Sequence, residues 1–312
     1  FHSEELRREQ GRLRTSDGRS ASEAIRQLDR ILEAFEARSN PFVGIGLNLF
    51  LLWNIQCYER LRQWNVRHGE QLAEWTEVVA ELDSLSSLSS IAADHPSFVF
   101  PEPHAEGQVL EGEALGHPLI PDEERVDNDM TIPSTGHIKI VTGANMAGKS
   151  TFLRTIGVNW ILAKAGTAVC ARRMGFRPLS LFSSMRTSDD LAEHESFFYA
   201  ELKRLRMIVD ELEQGNELLI LLDEILQGTN SEDKKQGSRR FLERILEYPV
   251  AGIIATHDLD LTQMEGTHPG AIENLCFETE LHEGRSFFDH LLRKGVCRNM
   301  NASALMERMG IG

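Results

Sequence analysis

Apolar residues in the first hundred positions fall at helical intervals. From Ala21 onward Ile25, Leu28, Ile31, Leu32 and Phe35 recur three and four apart. A second stretch of the same kind follows Pro41 and runs to about His68, and a third carries Leu72, Trp75, Val78, Val79 and Leu82. The run SLSSLSSIAAD then keeps leucines at helical spacing among small residues. Residues 1–20 are polar and charged, as in a solvated helix or a frayed end. The pattern predicts an all-helical region over residues 1–95.

At HPSFVFPEP, residues 95–103, the texture changes. Pro118 and Pro121 flank a further turn-like stretch, and the chain to about residue 142 reads as short strands and turns. Strand and helix patterns then alternate: HIKIVT, a helix from Lys149, a helix near 195–213, LLILLDE, a helix near 232–247, AGIIATH, and a short helix from about Asn301. Such alternation predicts an α/β domain with a largely parallel sheet over residues 96–312. No internal repeat is visible.

Composition narrows the picture. The chain has 312 residues, 41% hydrophobic and 26% charged, which suits a soluble protein of two units. Its net charge of −15 argues against whole-surface attraction to nucleic acid, so DNA contact would need a local basic patch or another part of the protein. The basic clusters RHG, ARRMGFR and LLRKG are small and read as solvated faces. Cys57, Cys170, Cys276 and Cys297 are scattered without metal-ligand spacing, as expected in the reducing cytoplasm. The chain opens on Phe1, so it is expected to be an excised fragment, with any targeting segment or membrane anchor upstream. The apolar run PFVGIGLNLFLLW, residues 41–53, is shorter than the roughly 18–20 residues a bilayer requires and is expected to be a buried helix.

Candidate chemistry is concentrated in three places. GANMAGKST, residues 143–151, fits G-x-x-x-x-G-K-[ST] between a strand and a helix. Gly143 and Gly148 let the loop bend so that the N–H groups of Ala144, Asn145, Met146 and Ala147 face an anion, and the helix adds its positive end. Lys149 is expected on the β- and γ-phosphates and Ser150 on Mg²⁺, with Thr151 closing the turn. LLILLDEI predicts a buried strand that delivers Asp223 and Glu224 at its carboxyl end. Ser150 and Asp223 would share the Mg²⁺, and Glu224 would orient and deprotonate the attacking water. AGIIATHD predicts a third strand that ends near His257, within reach of the γ-phosphate.

TGANMAGKSTFLRTIG, SDDLAEHESFFYAEL, LLILLDEILQGTN and IIATHDLDLT occur here in an order that resembles the ATPase domain of the MutS proteins of DNA mismatch repair. Weaker similarity reaches upstream through LDSLSSLSSIAAD, FVFPEP and LGHPLI, so the resemblance spans roughly residues 70–312. It implies a P-loop NTPase fold of ABC-ATPase type, preceded by a helical core and lever-like region. It also implies ATP/ADP and Mg²⁺ as ligands, and an ATP-dependent homodimer with composite nucleotide sites. In such a dimer Ser196 would approach the γ-phosphate held by the other subunit, and Gly228, Thr229 and Asn230 would lie in a dimer-contacting turn. Asn145 matches the family's phosphate-loop asparagine, and His290 falls where the family stacks a histidine on adenine. Read from the residues alone, Ser196 is a helix N-cap.

The departures bear on function. No mismatch-reading domain or clamp helices lie in this chain, so DNA contact is expected through regions outside it. Ala144 and Ala147 stand where the family has proline and glycine, and Arg125 and Val126 where an aromatic packs on adenine. The C-terminal dimerising tail is reduced to ASALMERMG. A transporter-type or chromosome-organising ABC ATPase would carry LSGGQ where this chain has ESFFYAE. A decayed scaffold would lack Lys149, Ser150, Asp223 or Glu224, and all four are present.

Overall fold

A computed structural model describes residues 3–15, 17–36, 46, 48–185, 197–226, 230–282 and 285–297. The expected terminal helix from Asn301 lies outside these, as do Ser196, Gly228 and Thr229. The chain divides into two compact units, Phe1–Leu88 and Ser89–Gly312.

The first unit is helical, with α1 (Glu4–Arg12), α2 (Ala21–Glu36) and most of α3 (Trp53–Asp94). Its core gathers Ala21, Ala24, Ile31, Trp64 and Trp75. Trp64 is buried whole because its indole N–H donates to the Ala24 carbonyl at 2.8 Å. Glu74, Glu77 and Glu81 lie on one stripe of α3 at helical spacing, and all three meet Arg12 of α1.

Two expectations are corrected here. From Trp53 onward the second and third helical stretches form one unbroken 42-residue helix, α3. The lone Gly69 does not stop it, since an internal glycine costs only about 1 kcal/mol against alanine. The serines that follow are tolerated because Ser84 and Ser87 donate back to the Ala80 and Asp83 carbonyls. Second, the run at 41–53 is not a buried helix in its described part: Leu49 is 74% exposed and Phe50 82%. The apolar core of this unit forms around Trp64 and Trp75, and among the described residues it does not extend to positions 49–52. Among the described residues no helix is long and apolar enough to cross a membrane.

The second unit is α/β. A small sheet orders β1 (Glu102–Pro103), β5 (Arg173–Phe176), β2 (Leu110–Leu115) and β3 (Asn128–Ile132) as β1-β5-β2-β3. The main sheet contains β4 (His137–Gly143), β6 (Ser180–Ser184), β7 (Leu218–Asp223), β8 (Val250–Ala255), β9 (Ile272–His282) and β10 (Arg285–Lys294). Its order is β10-β9-β4-β8-β7-β6, parallel throughout except for β10.

The central strands read as unbroken apolar runs because both faces are covered. Leu219 and Leu221 point into a core shared with the small sheet and α4 (Lys149–Ala165), where Leu153, Ile156 and Trp160 pack. Leu218, Ile220 and Leu222 point to the opposite face, against Leu205, Ile208 and Leu212 of α5 (Phe197–Glu213) and Leu242 and Ile245 of α6 (Ser231–Ile245). Each such leucine contributes roughly 1.5–3 kcal/mol of transfer free energy. The arrangement fixes the carboxyl ends of β4, β8 and β7 side by side, with β8 in the middle.

Candidate active site

At the end of β4 the backbone must turn sharply to enter α4. Gly143 is required by close approach: a Cβ there would lie 2.9 Å from the Phe277 carbonyl oxygen. Gly148 precedes α4 at φ +111°, in the left-handed region, and a Cβ there would meet His290 Nδ1 at 3.1 Å. Met146 between them also has positive φ, at 68°. Ala147 fits, with its methyl buried and its carbonyl 3.0 Å from His290 Nδ1. Asn145 and Met146 are exposed at the tip, and Thr151 is exposed in the first turn of α4.

Lys149 is buried, and its ammonium donates to the Gly143 and Ala144 carbonyls at 2.7 and 2.9 Å. Burial pushes its pKa down from the ordinary value, while Glu224 and Asp223 push the other way. Asp223 ends β7. Glu224 follows at φ 58°, a left-handed conformation unusual for glutamate, and its N–H donates to the Ala255 carbonyl at 2.8 Å. His257 lies two residues beyond β8, where its Nε2 is 2.8 Å from Glu224 Oε1. The central position of β8 thus brings the histidine between the phosphate turn and the acidic pair.

These groups line one cavity of about 600 Å³, together with Asn145, Met146, Gly148, Ser150, Thr151 and His290. That volume suits a small-molecule ligand. Two oxygen donors, the Ser150 hydroxyl and the Asp223 carboxylate, share this lining. Such a sparse set fits Mg²⁺, which takes one or two protein ligands and completes its shell with phosphate oxygens and water. It would not hold a cation by itself, and among the described residues no group of three or more His, Cys, Asp or Glu is gathered for a metal.

A second part of the wall comes from the β2–β3 connection, including His117, Leu119, Ile120, Pro121, Arg125 and Val126. Burial lowers the His117 pKa, with Arg154 acting in the same direction. Arg125 is clasped by Asp127 at 2.7 Å and Asp122 at 2.6 Å, so the position that departs from an aromatic carries a fixed guanidinium plane. Buried Asn159 of α4 anchors the connection by donating to the Gly116 carbonyl at 2.9 Å and accepting from the Cys170 amide at 2.8 Å.

His290 reaches the cavity from a bulge in β10. Asn128 holds that bulge: its amide donates to the His290 carbonyl at 3.0 Å and accepts from the Leu292 N–H at 2.7 Å. His117, Leu119, Ile120, Asn128 and Lys234, which stands 3.6 Å from Glu224, are site residues that the sequence pattern did not single out. LGHPLI was legible as a proline-flanked turn with weak family similarity, and Lys234 only as part of the helix near 232–247.

A family model described as MutS domain V matches residues 139–307, which carry the phosphate turn, the acidic pair, His257 and His290. The chain belongs to the MutS family. It is 30% identical over 263 residues to the DNA mismatch repair protein MutS of Natronomonas pharaonis, covering 81% of this chain and 30% of that protein. The protein of the same name from Thermotoga maritima is 30% identical over 235 residues, 74% of this chain and 29% of its own length. That from Haloquadratum walsbyi is 36% identical over 206 residues, 65% of this chain and 21% of its own. The chain therefore spans less than a third of the length of these MutS relatives.

Proposed function

We propose that this chain is the nucleotide-driven part of a MutS-type machine: a P-loop NTPase of ABC type that binds and hydrolyses ATP. The observation that carries the reading is convergence. Lys149 and Ser150 after β4, Asp223 and Glu224 after β7, and His257 after β8 all meet one cavity at the amino end of α4. The insertion of β8 between the turn-bearing strand and the acid-bearing strand supports it further.

In this reading the loop N–H groups, the α4 dipole and Lys149 bind the triphosphate. Lys149 redirects a donor from the loop carbonyls towards the phosphates. Mg²⁺ bound by Ser150 and Asp223 would neutralise charge on the β- and γ-phosphates. Glu224 aims a water at the γ-phosphorus, in line with the β–γ bridge. The new P–O bond forms as the bond to the bridging oxygen breaks, and ADP departs with that oxygen. The water proton passes to Glu224 and then to inorganic phosphate. His257 holds Glu224 by its other oxygen and senses loss of the γ-phosphate.

The family resemblance extends the proposal to assembly. ATP would join two copies, with Ser196 approaching the γ-phosphate held by the partner, the turn at Gly228, Thr229 and Asn230 contacting the partner, and His290 contributing to the adenine side. Residues 1–95 would act as the core and lever-like region moved by that closure. The relatives are named for DNA mismatch repair, and we place this chain in a related process, with DNA contact made outside it. A net charge of −15 supports that division of labour.

Glu224→Gln tests the reading. The variant is expected to bind ATP, to lose about a hundredfold or more in turnover, and to sediment as a dimer with Mg-ATP. Turnover and sedimentation like those of the unsubstituted chain would contradict it.

A further inference from the structure

Lys234 lies in a run of charges at the start of α6, yet it is not a solvated residue. Asn230 caps that helix by accepting the Asp233 N–H at 2.9 Å, and the Lys234 N–H donates to the Asn230 carbonyl at 2.9 Å. This first turn directs Lys234 inward. Its ammonium is 3.6 Å from Glu224 Oε2, with side chains only 23% and 18% exposed. The adjacent Lys235 turns away to Asp260 at 2.6 Å. Because His257 Nε2 already faces Oε1 at 2.8 Å, each oxygen of this carboxylate has its own nitrogen partner.

The charged surroundings of Glu224 come from every packed element. Asp223 precedes it on β7, Lys149 faces it from α4, His257 follows β8, and Lys234 comes from α6. Glu201 of α5 is turned to the Leu226 amide at 2.6 Å.

We infer that Lys234 is a positioning residue for hydrolysis: it holds Oε2 of Glu224 in the orientation from which that oxygen accepts the proton of the attacking water. The inference rests on the reading of Glu224 given above. Lys234 does not line the cavity, so it acts through the carboxylate and not on bound nucleotide. Loss of this contact lets the carboxylate rotate about the His257 contact, which slows turnover without weakening nucleotide binding.

The test is steady-state ATPase kinetics for the full chain, Lys234→Met, Lys234→Arg and Glu224→Gln, with the affinity of a non-hydrolysable ATP analogue measured on each preparation as a check of folding. Lys234→Met is expected to lower kcat about tenfold. KM and analogue affinity should stay within about twofold of the unsubstituted chain, and Lys234→Arg should restore most of the lost turnover. An unchanged kcat in Lys234→Met, or a rise in KM alone, would overturn the role of Lys234 while leaving that of Glu224 intact. Absence of turnover in the unsubstituted chain, or full turnover in Glu224→Gln, would overturn both.

Discussion

Lys149 concentrates the tension between stability and function in a single side chain. Its ammonium is buried against two carbonyls, and burial depresses its pKa below the ordinary 10.5. For a base the sign is definite. A depressed folded-state pKa means that the unfolded chain binds the proton more readily, so the charged lysine destabilises the fold below that pKa. The penalty is relieved as pH rises through the depressed value towards 10.5. Lys149→Met is therefore expected to be at least as stable as the unsubstituted chain at neutral pH by denaturant unfolding. The gap should narrow as pH rises. A variant clearly less stable at pH 7 would show that the carbonyl contacts outweigh desolvation. Left-handed backbone at Met146, Glu224, Leu226 and His290 points the same way, since strain of this kind collects where chemistry needs a fixed aim.

Between elements, the site depends on joints that a linear pattern hides. Asn128 of β3 supplies the two hydrogen bonds that the β10 bulge cannot make to β9, and so fixes His290 against the phosphate turn. Asn128→Ala leaves a carbonyl and an N–H there without this partner. It is expected to cost about 1–3 kcal/mol in denaturant unfolding and to raise KM for ATP several-fold. Stability within about 0.5 kcal/mol of the unsubstituted chain, the range of an ordinary surface substitution, would mean the bulge is held otherwise. The same contrast explains what the sequence disclosed. Gly143 to Thr151 was legible because the whole turn is local, and β4, β7 and β8 because strands covered on both faces have unbroken apolar runs. The β9–β10 hairpin was not legible: buried Asn274 breaks the alternation, its side-chain N–H groups being taken by the Thr262 carbonyl and Glu265. Lys234 was hidden because ten positions of chain separate it from the carboxylate it meets. The apolar pattern divides α3 near His68 because Gly69 resembles a break, although it does not outweigh the hydrogen bonds of a continuing helix.

For the whole molecule, the sheet order gathers into one cavity groups from residues 115 to 290, and the family match over residues 139–307 overlaps most of that span. Ser196, Gly228 and Thr229 lie outside the described residues, so their part in the proposed assembly enters through resemblance and not through geometry. The account stands on one prior event, capture of a triphosphate by the turn between β4 and α4. Isothermal titration calorimetry with a non-hydrolysable ATP analogue and Mg²⁺ measures it directly on the chain and on Lys149→Met. The predicted result is saturable heat for the first and none for the folded variant. No heat from the folded chain, or equal heat from both, would contradict the account.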